Sequence, residues 1–148
     1  MPESGAVALP PDRDFIDESL ASLEENLLFL QQLSQRPADQ FLRSKEATYS
    51  AAYALTISIE AIAGIASHLL ASLNHPVPKG MADSFECLFQ KDILKSSGLV
   101  ERLGQMSRFR NLLVHRYWNV DYAVVHQILQ THLDDFRLFA REIQNFLD

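Results

Sequence analysis

Between Thr48 and Ser67 the chain carries one charged residue, Glu60, and every other position is Ala, Ile, Leu, Tyr, Thr, Ser or Gly. A run of that length is too long for a strand and reads as a helix that is apolar almost all round. Such a helix belongs at the centre of a bundle, and its many Ala, with Gly64, allow neighbours to come close. Ala47 to Leu73 is also long enough to be tested as a membrane span. Glu60, His68, several Ser and Thr, and a preference for Ala over Leu make it a buried helix instead.

The rest of the chain supplies amphipathic rods to cover it. A first helix is predicted from near Asp12 or Asp14 to before Pro37, with Phe15, Ile16, Leu20, Leu23, Leu27, Leu30 and Leu33 at helical spacing. The second runs from about Ala38 to Leu73 and is broken by the Asn74–Pro78 stretch. A third spans about Asp83 to Lys95 and stops at Ser96-Ser97-Gly98; a fourth begins near Leu99. Asp121 is the expected N-cap of a fifth helix reaching about Leu147. The fold class is therefore all-α, a bundle of about five helices forming one domain over residues 12–148, with a disordered leader at 1–11. Five Gly and six Pro among 148 residues disfavour an architecture of many short strands. The lone Cys87 excludes an intramolecular disulfide and a Cys-rich metal site, and with no signal-type N-terminus the expected location is the cytoplasm.

A net charge of −6 argues against nonspecific nucleic-acid binding by the chain as a whole. The charge is uneven, however: from Arg102 to Trp118 there are four Arg and no Asp or Glu. Within that segment lies Arg108-Phe109-Arg110-Asn111-Leu112-Leu113-Val114-His115-Arg116-Tyr117. On a helical wheel Arg110 falls in the middle of the stripe formed by Leu99, Leu103, Met106, Leu113 and Tyr117. A guanidinium cannot enter a core without a partner, and Glu60 is the one acid in the apolar helix, so the two are predicted to meet. The pair either holds the bundle in register or orients Arg110 toward a substrate phosphate.

His115 lies about 140° from Arg110 around the helix, on the face of Asn111 and Arg108. A straight helix does not aim both at one small target. Either the helix distorts near Leu113 and Val114, or two chains pair along it; pairing is favoured, with the helix ending by Trp118-Asn119. A neutral imidazole can take the proton of a ribose 2′-hydroxyl, whose oxygen then attacks the adjacent phosphorus while Arg110 stabilises the phosphoryl oxygens. That chemistry needs RNA and no metal, and His68, His75, His126 and His132 show no paired metal-ligand spacing. Tyr117, within about 20° of Arg110 on the wheel, reads as a half-buried anchor whose hydroxyl is close to the site. A nucleotide added there would bring negative charge into a phosphate pocket.

Arg110, four residues, His115, one residue and Tyr117 match the R-x4-H-x-Y motif, and the chain resembles HEPN domains of the HepT type. Asn111 directly after the Arg, the apolar helix with its acid and the order of the helices extend the likeness over roughly residues 13–147. The resemblance implies a homodimeric, metal-independent endoribonuclease, the toxin of a type VII toxin–antitoxin pair. Arg110 and His115 would be catalytic, with Asn111, Glu60 and Arg108 supporting. It further implies an MNT-type (MntA-like) nucleotidyltransferase antitoxin that uses ATP and magnesium to AMPylate Tyr117; no cofactor is expected on this chain. The RNA substrate, tRNA or mRNA, stays open. The alternatives are a non-catalytic helical module that docks a nucleotidyltransferase, and, more weakly, an inactive dimeric scaffold for such a complex.

Overall fold

The computed structural model describes residues 9–148, so most of the expected leader lies outside the described residues. Asp12 opens the first helix as its cap: its carboxylate accepts the Phe15 N–H at 3.1 Å. The helix, α1 (Arg13–Ser34), buries Ile16, Leu20, Leu23, Leu27, Leu30 and Leu33, the stripe expected from their spacing.

The single helix expected from Ala38 to Leu73 is two, α2 (Ala38–Arg43) and α3 (Lys45–Ser72). Ser44 separates them with extended backbone, and its hydroxyl accepts the Ala47 N–H at 3.1 Å. A serine that caps a new helix has ended the previous one. α3 closes through Asn74, which takes a left-handed φ of 58°, with the His75 N–H donating back to the Leu70 carbonyl at 2.9 Å. α4 (Met81–Gln90) is shorter than expected for the same reason: Asp92 adopts φ 61°, and the Ile93 N–H returns to Leu88 at 2.9 Å. Ile93 and Leu94 are still buried, so the loop that replaces the last helical turn is held by the core.

Ser96-Ser97-Gly98 does not stop the third helix; it starts the next. The Ser96 hydroxyl accepts the Leu99 N–H at 3.1 Å, and α5 (Ser97–His115) follows. Asp121 caps as expected, accepting the Ala123 N–H at 2.9 Å. The last rod, however, is broken at His132 into α6 (Tyr122–Thr131) and α7 (Leu133–Leu147). Among the described residues there are thus seven α-helices, one 3-10 turn (Tyr117–Asn119) and no strand, so the all-α class holds and the helix count rises.

α3 lies at the centre and touches each of the other six helices. It is long and apolar enough to cross a membrane, yet Ala51, Leu55, Ile59, Ile62, Ala66 and Leu69 are buried by its neighbours. One face stays open: Tyr49, Tyr53, Ser67 and Ala71 are exposed, and Ile57, Ala61 and Gly64 are partly covered.

Candidate active site

Two helices build the site. Arg110 occupies the last third of α5, and Glu60 lies midway along α3 on the side that faces it. The predicted contact forms. A single carboxylate oxygen, Oε2 of Glu60, accepts the Arg110 Nε–H at 2.9 Å and an Nη2–H at 2.6 Å. The Arg110 side chain is 21% exposed and that of Glu60 41%. The Arg110 Nη1 donates to Oδ1 of Asn111 at 3.2 Å. A guanidinium has five N–H donors; three are engaged by Glu60 and Asn111, and two remain. Oε1 of Glu60 accepts none of these bonds. The cation is oriented, therefore, without being used up.

His115 is the last residue of α5 and is exposed, as are Arg108 and Asn111. Its imidazole makes no hydrogen bond to another described residue, so it is open to a substrate proton. α5 is unbroken through Leu113 and Val114, which removes local distortion as a way to bring Arg110 and His115 together. In one copy Arg110 turns toward α3 while His115 turns to solvent.

Tyr117 departs from expectation. The helix ends at His115, because Arg116 leaves helical geometry at φ −136°, ψ 44°. Tyr117 begins a 3-10 turn closed by the Asn119 N–H on the Arg116 carbonyl at 2.8 Å. The wheel angle that placed it beside Arg110 does not apply past the last helical residue. Tyr117 is 67% exposed, a free hydroxyl on a surface turn and no half-buried anchor. Such exposure suits a modification site better than a packing role.

Two features went unread in the sequence. Trp118 is exposed beside Tyr117. Arg102, on α5, donates from Nε to Oδ1 of Asp135 at 2.9 Å, and His132 Nδ1 faces the other carboxylate oxygen at 3.2 Å. Asp135 sits among other charges in the sequence and gives no local signal of this role. No group of three or more His, Cys, Asp or Glu able to hold a metal ion is present among the described residues.

The family model of HepT-like ribonucleases matches residues 18–143. A curated relative, the mRNA nuclease HepT of Shewanella oneidensis, is 28% identical over 131 residues, which span 88% of this chain and 97% of that protein. Among solved structures, a tri-AMPylated Shewanella oneidensis HEPN toxin in complex with its MNT antitoxin superposes with a TM-score of 0.82 at 27% identity, covering 89% of this chain and 98% of the other. A toxin–antitoxin complex with AMP-PNP superposes at 0.83 with 26% identity over the same shares of the two chains. The fold agrees with these matches, and the chain belongs to the HepT-like ribonuclease family.

Proposed function

We propose that this protein is the toxin of a type VII toxin–antitoxin pair, a metal-independent endoribonuclease acting in the cytoplasm. The observation that carries the reading is the arrangement on α5. Arg110, held by Glu60 with donors to spare, lies one and a half turns before an unengaged His115 and is followed by an exposed Tyr117. His115 takes the proton of a ribose 2′-hydroxyl, that oxygen attacks the adjacent phosphorus, and Arg110 offers its remaining N–H groups to the phosphoryl oxygens. The bond from phosphorus to the next nucleotide's 5′-oxygen breaks, that oxygen leaving with a proton from water and a 2′,3′-cyclic phosphate remaining. Asn111 limits rotation of the guanidinium, and Arg108 adds attraction for the polyanion. The name of the curated relative favours mRNA over tRNA as substrate.

Arg110 and His115 point apart on one helix, so the working site takes one residue from each of two copies. The open face of α3 supports a homodimer: a stripe with Tyr49, Tyr53, Ile57, Ala61 and Gly64 carries no charge but Glu60. A surface of this kind is costly in water, and at Ala61 and Gly64 its side chains are small enough for a second helix to approach. Tyr117 is the AMPylation target of a cognate MNT-type nucleotidyltransferase, which uses ATP and magnesium. The added phosphodiester places negative charge next to the motif and repels RNA phosphate.

Expression of the wild-type chain arrests growth, and Arg110→Ala or His115→Ala lifts the arrest while far-ultraviolet circular dichroism stays helical. Purified protein cuts RNA in the presence of a chelator. Co-expression with the partner adds AMP to the wild type, seen by intact mass, and adds none to Tyr117→Phe. A chain that binds the nucleotidyltransferase but never cleaves RNA is instead a docking module.

A further inference from the structure

Trp118 is the chain's one tryptophan, and neither the core nor the cleavage chemistry accounts for it. It is 67% exposed, forgoing the burial that makes a large aromatic side chain stabilising. The ring has one aromatic neighbour among the described residues. Its centroid lies 5.2 Å from that of Tyr117, with the planes at 82°. An edge-to-face contact covers at most one face of one ring, so at least one face of the indole is open. The turn beneath is closed by the Asn119 N–H on the Arg116 carbonyl at 2.8 Å and the Val120 N–H on the Tyr117 carbonyl at 3.4 Å.

The setting says what that face suits. Trp118 follows His115 by three residues, a reach of at most about 11 Å along the chain. Arg116, two residues before Trp118, is exposed and makes no salt bridge among the described residues. No acid interrupts residues 102–118. An open aromatic face beside an unpaired cation is how proteins hold single-stranded nucleic acid, the cation tracking phosphate and the ring stacking a base. A duplex keeps its bases stacked on one another and has none to offer an indole. Resting on the ribonuclease reading, we propose that Trp118 is a base-stacking residue. Its indole takes an unpaired nucleobase next to the cleaved linkage, and the enzyme thereby selects single-stranded RNA.

The test uses full-length protein and a single-stranded 2′-deoxy oligonucleotide, which lacks the nucleophile and so binds without being cut. Because Trp118 is the sole tryptophan, its emission reports on this residue alone. The single strand quenches that emission; the same sequence as a duplex, at equal occupancy read by anisotropy of an end label, leaves it unchanged. Trp118→Ala weakens single-strand binding and raises KM for RNA about tenfold, the effect of losing one stacked base. Its kcat stays within about twofold, and Trp118→Phe recovers most of the binding. Unchanged emission while anisotropy reports binding overturns the proposal, as does an unchanged KM in Trp118→Ala. Sedimentation of Trp118→Ala as a monomer where the wild type is a dimer makes the indole a contact between copies and also overturns it. A response to AMP attached at Tyr117, with none to the oligonucleotide, assigns the platform to the modification and overturns it too. If the wild type binds and is quenched but cuts no RNA, base stacking stands and the ribonuclease reading falls.

Discussion

Arg102 and Arg110 stand on the same helix, and each meets one carboxylate, but the two pairs are built in opposite senses. In the first the acid is inside: the Asp135 side chain is 10% exposed and that of Arg102 39%. Both oxygens of Asp135 are engaged, one by Arg102 and one by His132. In the second the cation is inside, with Arg110 at 21% and Glu60 at 41%. The first pair ties α5 to α7 at the point where α6 ends; its acid has both oxygens taken, while Arg102 is tethered through Nε alone and its other four N–H groups are not oriented by that acid. The second ties α5 to α3, fixes the guanidinium through Nε, Nη1 and Nη2, and leaves two oriented donors unspent. Fixing an acid in place serves the fold. Fixing a cation that still has N–H groups to give prepares a site for phosphate, since an oriented donor need not reorganise when charge develops.

The largest expected effect separates the two arginines by activity. Arg110→Ala lowers the initial rate of RNA cleavage by about a hundredfold or more. His115→Ala lowers it by a comparable factor, the loss of a general base. Arg102→Ala, counted per folded molecule, stays within about threefold of wild type. Equal losses at Arg102 and Arg110 would erase the distinction between clamp and site.

The next effect is on stability and runs the other way. Asp135→Ala strands Arg102 and removes the anchor at the first turn of α7, and urea unfolding should register a loss of about 2 kcal/mol, tempered by the partial exposure of Arg102. Glu60→Ala costs about 1 kcal/mol or less, because its carboxylate is more than a third exposed. If the Glu60 variant is the less stable of the two, α3 and α5 depend on that pair for register and the functional reading of Arg110 weakens.

The same contrast explains what the sequence disclosed. Glu60 is the one charge in its apolar run and Arg110 the one charge on the apolar stripe of α5, and that double anomaly predicts their contact over fifty residues of separation. Arg102 follows Glu101, and Asp135 follows Asp134, so neither is anomalous and their pairing is visible only in three dimensions. Helix ends behave likewise. Asp121 was legible as a cap because a polar, aromatic turn precedes it; Ser44 and His132 interrupt stretches whose apolar periodicity continues through the break. Asp92 and Asn74 take the left-handed positions where glycine is the expected signal. At the site, α5 stops at His115 with no Gly or Pro to announce it, so the angular relation of Tyr117 to Arg110 was lost, although the motif spacing itself was plain.

The smallest expected effect asks what Arg110 needs from Glu60, charge or orientation. Both hydrogen bonds from Arg110 end on the same oxygen, Oε2. A glutamine amide oxygen at that place can accept both of them, so Glu60→Gln removes the charge and preserves the geometry, whereas Glu60→Ala removes both. If orientation is what counts, Glu60→Gln keeps the cleavage rate within about threefold, and its less neutralised guanidinium binds RNA at least as well as before. Glu60→Ala, with the guanidinium free to swing, loses about tenfold. The readout is kcat and KM for each variant beside wild type, at fixed salt because phosphate binding is salt-dependent. A glutamine variant as poor as the alanine one would show that the negative charge itself is required. Arg110 would then be held as Asp135 is held, by mutual neutralisation, and its spare donors would not explain catalysis.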